Sequence, residues 1–146
     1  MGSCTTRYYN ITYYNDTIAC HDFHCNFEES LEMINSGNLD PGLVDINGDT
    51  MLMWSCRING NSMSDKAIKL LKTGKSNPEQ ANKYHGNTAL LYACVNKKSY
   101  IAIKILEVDN CKPDHLNNEG NIALIIACKY KMCDVALKLL ETKIRN

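Results

Sequence analysis

Eight cysteines and four histidines are the residues of this 146-residue chain best suited to chemistry. Such side chains ligate zinc or pair as nucleophile and base, and their spacing decides which is feasible. Three cysteines, Cys56, Cys94 and Cys128, close three versions of one phrase: GDTMLMWSC (48–56), GNTALLYAC (86–94) and GNIALIIAC (120–128). A repeated phrase puts each cysteine at the same point of a repeated element. Stacked elements lie about 10 Å apart, beyond the ~7 Å Cα separation a disulfide tolerates and far outside a zinc shell of ~2.3 Å. The three thiols are expected to fill the core, cysteine acting there as a slightly larger alanine. A second cluster, CHDFHC (Cys20–Cys25), sets Cys20 with His24 and His21 with Cys25 at i, i+4. One helical face then offers only two ligands and no second pair is spaced with them, so ordinary thiols and surface imidazoles on a capping helix are expected. There is no Gly-rich phosphate loop, H-E-x-x-H, G-x-S-x-G or paired-carboxylate pattern. No catalytic residue, cofactor or metal is expected on that reading.

The elements that position these residues recur with the phrase. AIKLLKTGKSNP (67–78), AIKILEVDNCKP (102–113) and ALKLLETK (136–143) follow it in turn, with Ala67, Ala102 and Ala136 spaced 35 and 34 residues apart and Pro78 and Pro113 spaced 35. Two landmarks keeping one period mark a true repeat. In the second segment, apolar residues at i, i+3, i+4 (Ala67, Leu70, Leu71 and their counterparts) predict an amphipathic helix. Lys66, Lys69 and Lys72 form its solvated side. Gly74 supplies a left-handed stop, Asp109-Asn110 holds that place in the next copy, and Pro78 and Pro113 prevent continuation. The phrase itself predicts a short helix over roughly 88–95, with Thr50 and Thr88 as N-caps.

Bulk properties bound the rest. An apolar fraction of 45% suffices for a core, and 22% charged residues argue against disorder. Lys+Arg and Asp+Glu balance at 16 each, which gives no basic field for nucleic acid. No apolar run approaches the ~18–20 residues of a membrane span, and no signal sequence opens the chain. Reduced thiols and an intracellular, cytoplasmic location follow as expectations.

Helix, tight turn, helix and a polar connector with Gly before the next helix, at a period near 34, resembles the ankyrin repeat. That family's phrase is in outline D-x-x-G-x-T-P-L-H-x-A-A, then an outer helix rich in I-V-x-L-L-L, then G-A-x-x-x. DINGDTMLMWSC (45–56), KYHGNTALLYAC (83–94) and NNEGNIALIIAC (117–128) stand at the corresponding place. The Pro of T-P-L-H is Met51, Ala89 and Ala123, and its His is Met53, Leu91 and Ile125, so the usual Thr–His network is missing. Lys97 and Lys131 replace the Gly between the helices, at roughly 1 kcal/mol each if φ stays positive. Three extra residues around NGNS (59–62) are placed in that same turn of the earlier copy. SLEMINSGNLDP (30–41) and NDTIAC (15–20) read as a degenerate first copy. The resemblance implies an all-α ankyrin-repeat solenoid of about four helix-turn-helix repeats. The expected division is an N-terminal extension (1–14), a degenerate repeat 1 (15–47), repeat 2 with its inter-helix insertion (48–85), repeat 3 (86–119) and repeat 4 (120–146).

It also implies a non-enzymatic protein–protein interaction scaffold that binds through a concave groove. Carried over from the Gly of each phrase, the tip positions are Ile46, Asn47, Tyr84, His85, Asn118 and Glu119. The first inner-helix positions are Asp49, Asn87 and Asn121; those after the small pair are Arg57, Ile58, Val95, Asn96, Lys129 and Tyr130. Tyr84, Arg57 and Tyr130 are of the types that dominate interface energies. Trp54 and Tyr92 share one position and are expected to stack between repeats in the core. The Asn-rich connectors and GNTAL…YAC look like the ankyrin repeats of amoeba-infecting giant viruses, which implies a viral or parasite protein with a host-protein partner in the host cytoplasm. An alternative reading starts at MGSCTT (1–6), which matches M-G-x-x-x-[ST]. Myristoylation of Gly2 and palmitoylation of Cys4 would make the chain a lipid-anchored membrane adaptor. RYYNITYY (7–14) is read as a cap over the first repeat. The last copy, ending LKLLETKIRN (137–146), has no polar outer face, so either the protein continues or another chain covers that end as a homodimer.

Overall fold

A computed structural model describes Arg7–Tyr8, Ile11–Tyr14, Thr17–Ile18 and residues 27–145. Gly2, Cys4 and the Cys20–Cys25 cluster lie outside these residues. Seven helices are found among the described residues: α1 (Phe27–Ser36), α2 (Met51–Arg57), α3 (Asn61–Lys72), α4 (Ala89–Val95), α5 (Ser99–Leu106), α6 (Ala123–Lys129) and α7 (Cys133–Arg145). None is long and apolar enough to cross a membrane.

The helices begin and end where the side chains require. Thr50 and Thr88 have extended backbones, and their hydroxyls accept from the N–H of Met53 and Leu91 at 3.2 and 3.4 Å. Ile122 holds that position before α6 and makes no side-chain cap bond. Gly74 is left-handed at φ 67°, which stops α3. Lys97 and Lys131 keep φ at 56°, so the turn between paired helices does demand the left-handed region. Each lysine there costs about 1 kcal/mol relative to glycine.

Inner helices α2, α4 and α6 stack in order, and outer helices α1, α3, α5 and α7 stack beside them. The layer between is apolar: Leu52, Leu90, Ile101, Ile105 and Leu139 are all fully buried. Cys56 and Cys94 are free thiols wholly inside it. Trp54 and Tyr92 are buried as expected, and Lys66 is no simple solvated charge, since its ammonium lies 5.1 Å from the Phe27 ring and 5.6 Å from that of Trp54.

Three expectations change. The extra residues near NGNS do not lengthen a loop: Gly60, at φ 136°, breaks the chain after α2, and Asn61 and Ser62 open α3. They add a turn, which makes α3 twelve residues long against eight for α5, because hydrogen-bonded helix with Met63 buried beneath it beats open coil. The NDTIAC stretch is not a worn inner helix where it is described. Thr17–Ile18 is a strand, β3, paired in parallel with β4 (Val44–Asp45) and antiparallel with β2 (Ile11–Tyr14), which pairs in turn with β1 (Arg7–Tyr8). β-branched Thr and Ile favour that extended state. Cys128 is exposed rather than buried. Nothing among the described residues packs over α6 as α6 packs over α4, so positions covered at Leu91, Cys94 and Leu106 are open at Ile125, Cys128 and Leu140.

A candidate binding groove between the loop tips and the inner helices

The connector before each inner helix turns on one buried side chain. Asp45 accepts from the N–H groups of Asn47 and Asp49. Asn82 accepts from Tyr84 and His85, and Asn117 from Glu119 and Asn121, at 2.8–3.1 Å. These three residues stand three or four positions before Gly48, Gly86 and Gly120, which are left-handed at φ 77°, 69° and 78°. A short side-chain carbonyl satisfying N–H groups two to four residues on is the Asx turn. It fixes each tip locally.

The same amides join neighbouring repeats. Asn82 Nδ2 donates to the Asn47 carbonyl and to Asp49 Oδ1, at 2.9 and 2.7 Å. Asn117 Nδ2 donates to Asn87 Oδ1 at 2.8 Å. The Asn118 backbone N–H donates to the His85 carbonyl at 3.1 Å, and its side chain reaches the Tyr84 carbonyl at 3.0 Å. His115 Nε2 lies 2.8 Å from the Gly86 carbonyl oxygen. This amide ladder takes the place of the missing Thr–His network. Its signal in the sequence is the recurring Asp or Asn three or four positions before each Gly.

Asp49 is the centre of a second network and corrects a sequence-based assignment. Expected as an exposed contact position, it is fully buried. Arg57 Nε donates to its Oδ2 at 2.5 Å and Asn82 to its Oδ1, and the Tyr92 phenol lies beside it. Burial foremost, and then the Asp49 carboxylate, push the Tyr92 phenol well above its usual range. Asn87 also lies near the Tyr92 phenol and accepts from Asn117, so polar groups line up from Arg57 and Asp49 past Tyr92 to Asn87 and Asn117. A buried carboxylate needs such partners, and here they lock one inner helix to the next. Lys98 does similar work on the outer side. Its ammonium donates to the carbonyls of Ser55 and Ile58 at the end of α2, 3.0 and 2.5 Å away, and burial lowers its pKa.

The rest of the expected set is exposed or half-buried. Ile46, Asn47, Tyr84, His85, Asn118 and Glu119 are exposed at the tips, Ile46 at 74% and Tyr84 at 56%. Arg57, Ile58, Asn96 and Asn121 are half-buried, and Asn96 Nδ2 is spent on the Tyr92 carbonyl at 2.9 Å. Asn87, Val95, Glu119, Asn121, Lys129 and Tyr130 converge with Asn117 and Ile126 on one hollow of about 170 Å³. Drug-sized ligands occupy ~300–1,000 Å³, so this hollow suits a single side chain. Arg57, Ile58 and Ile46 lie outside it.

No match was found among curated proteins. A family model described as ankyrin repeats in three copies matches residues 18–114 and again residues 61–146. Recurring helix pairs, left-handed turns between them and stacked tips agree with that match, and the chain belongs to the ankyrin repeat family.

Proposed function

We propose that this chain is a non-enzymatic scaffold that captures a protein partner on the face shared by its loop tips and inner helices. Ankyrin repeats commonly mediate protein–protein interaction. The observation that carries the reading is the contrast along this face. A buried ladder of Asp45, Asn82 and Asn117 fixes the tip backbones, while the side chains between them, Ile46, Tyr84, His85, Asn118 and Glu119, have no core to serve. Rigid backbone with exposed, chemically varied side chains lowers the entropy lost on binding. If the Asn-rich phrases reflect a viral or parasite source, the partner is a host protein.

The test pairs Tyr84→Ala with His85→Ala, both exposed and with side chains outside the buried networks. Partner capture by the full chain should fall at least tenfold while Tm stays within ~2 °C, the scale of neutral surface changes. Retained capture would place the binding surface elsewhere.

A second reading rests on the open end. Ile125, Leu137, Leu140 and Ile144 are exposed apolar side chains on the last repeat, and burying such a face against a second copy is favourable. We propose a homodimer through this face. Light scattering across a hundredfold concentration range should show a monomer–dimer shift that Leu140→Lys abolishes. A constant monomer mass rules the dimer out.

A further inference from the structure

The C-terminal end of the groove carries charge that nothing around it balances. Lys97 Nζ stands 5.0 Å and Lys129 Nζ 5.6 Å from the centre of the Tyr130 ring. Both lysines are exposed, as is Lys131 beside them. Among the described residues none of the three makes an ion pair. The face of a phenol attracts an ammonium, but two ammoniums held on one ring repel each other. Glu119 is the one carboxylate lining the adjoining hollow, and it accepts from Asn121 Nδ2 at 3.3 Å. Lys129 alone lines the hollow with Glu119, and Lys97 at the Tyr130 ring beside it makes two lysines against one glutamate, a cationic excess around that ring. Elsewhere on the same face Arg57 is paired with Asp49.

We propose that this hollow seats a carboxylate side chain from an acidic segment of the protein partner. The proposal rests on the groove reading above and adds the chemistry of what enters it. Val95 and Ile126 wall the hollow with apolar carbon suited to the methylenes of a glutamate or aspartate. Lys129 and the Tyr130 ring line the hollow where the charged head would sit, and Lys97 stands against that same ring. A neutral or basic side chain would leave the two ammoniums repelling each other, so specificity comes from charge.

The experiment pans a random twelve-residue peptide display library against the full chain and measures a synthetic representative by fluorescence polarisation. Variants are Lys97→Asn with Lys129→Gln, and separately Tyr84→Ala. Asparagine tolerates the left-handed backbone of position 97, and circular dichroism confirms folding. The enriched peptides should be rich in Asp and Glu. Affinity should fall about fivefold per lysine removed, fall similarly when the peptide's Glu becomes Gln, and weaken as salt rises from 50 to 300 mM. Enriched peptides without acids that ignore the lysine pair but need Tyr84 would overturn the carboxylate seat and leave the groove standing. A phosphoserine replacing the peptide's Glu and binding more than tenfold tighter would also overturn it, in favour of phosphate. No enrichment, or binding indifferent to every groove variant, overturns both.

Discussion

Replacing Asp49 by alanine tests the polar chain that joins the repeats. Its carboxylate accepts from Arg57 at 2.5 Å and Asn82 at 2.7 Å and lies beside the Tyr92 phenol, with the side chain 1% exposed. A hydrogen bond to a charged group contributes ~1.5–3 kcal/mol, and leaving a buried donor unpaired costs about 1–3 kcal/mol. Alanine would leave one N–H of Asn82 in that state, the other staying on the Asn47 carbonyl, whereas Arg57 is one-third exposed and can turn to water. The two bonds share one acceptor and do not add fully with the cost of the unpaired donor, so we expect a loss of about 3–5 kcal/mol. At ~2–4 °C per kcal/mol for a chain of this size, Tm should drop by about 10–15 °C in thermal unfolding followed by circular dichroism. Asn87 and Asn121 hold the same position in the later copies, where no arginine stands opposite; Val95 takes that place in the third copy. Asp49→Asn alone should therefore cost roughly half as much, because an amide faces Arg57. Adding Arg57→Val recreates the third copy and should recover most of that loss, a coupling of about 1.5–3 kcal/mol in a double-mutant cycle. An Asp49→Ala protein melting within 2 °C of the parent, or a cycle with no coupling, would refute the reasoning.

Four further outcomes are expected. Ile122→Thr restores the cap that Thr50 and Thr88 supply and should stabilise by about 0.5–1 kcal/mol, read as a higher urea midpoint. Ser30 is fully buried with its hydroxyl unpartnered among the described residues, at the position Ala67 and Ala102 occupy; Ser30→Ala should raise stability by about 1 kcal/mol. Lys131→Gly removes the left-handed strain at φ 56° and should gain about 1 kcal/mol, whereas Lys131→Ala should not. Burial pushes the Cys56 and Cys94 thiols up to about 12. The unfolded chain releases those protons near pH 9 and the folded chain does not, so stability is full below that and falls by up to ~1.4 kcal/mol per pH unit per thiol towards pH 12. Urea titrations at pH 8 and pH 10 should show the drop, a Cys56→Ala/Cys94→Ala variant should flatten it, and mass mapping should find Cys128 and Cys133 alkylated before either buried thiol.

Local chemistry made much of this fold legible. The spacing of Ala67, Leu70 and Leu71, the Thr caps and the Gly–Pro stops each act over a few residues, so the sequence carries them whole. Cys56 and Cys94 were readable as packing because their phrase recurs. Cys128 closes the same phrase, and nothing in the phrase tells which copy lacks a covering neighbour. The exposed tips could be placed by counting from each Gly, but the count could not see that Asp49 turns inward.

The sequence by itself determined the helices, their period and the residues that end them, because those follow from backbone preferences and apolar spacing within one turn or two. Only the tertiary structure decided which polar groups are buried. Asp49 meets Asn82 from 33 positions away and Asn87 meets Asn117 from 30, partners that share no local pattern. The hollow beside Tyr130 likewise exists only once Asn87, Glu119 and Lys129 are stacked from two repeats onto one face. A side chain's neighbours across a repeat are set by the stacking, and with them its protonation, its exposure and its availability to a partner.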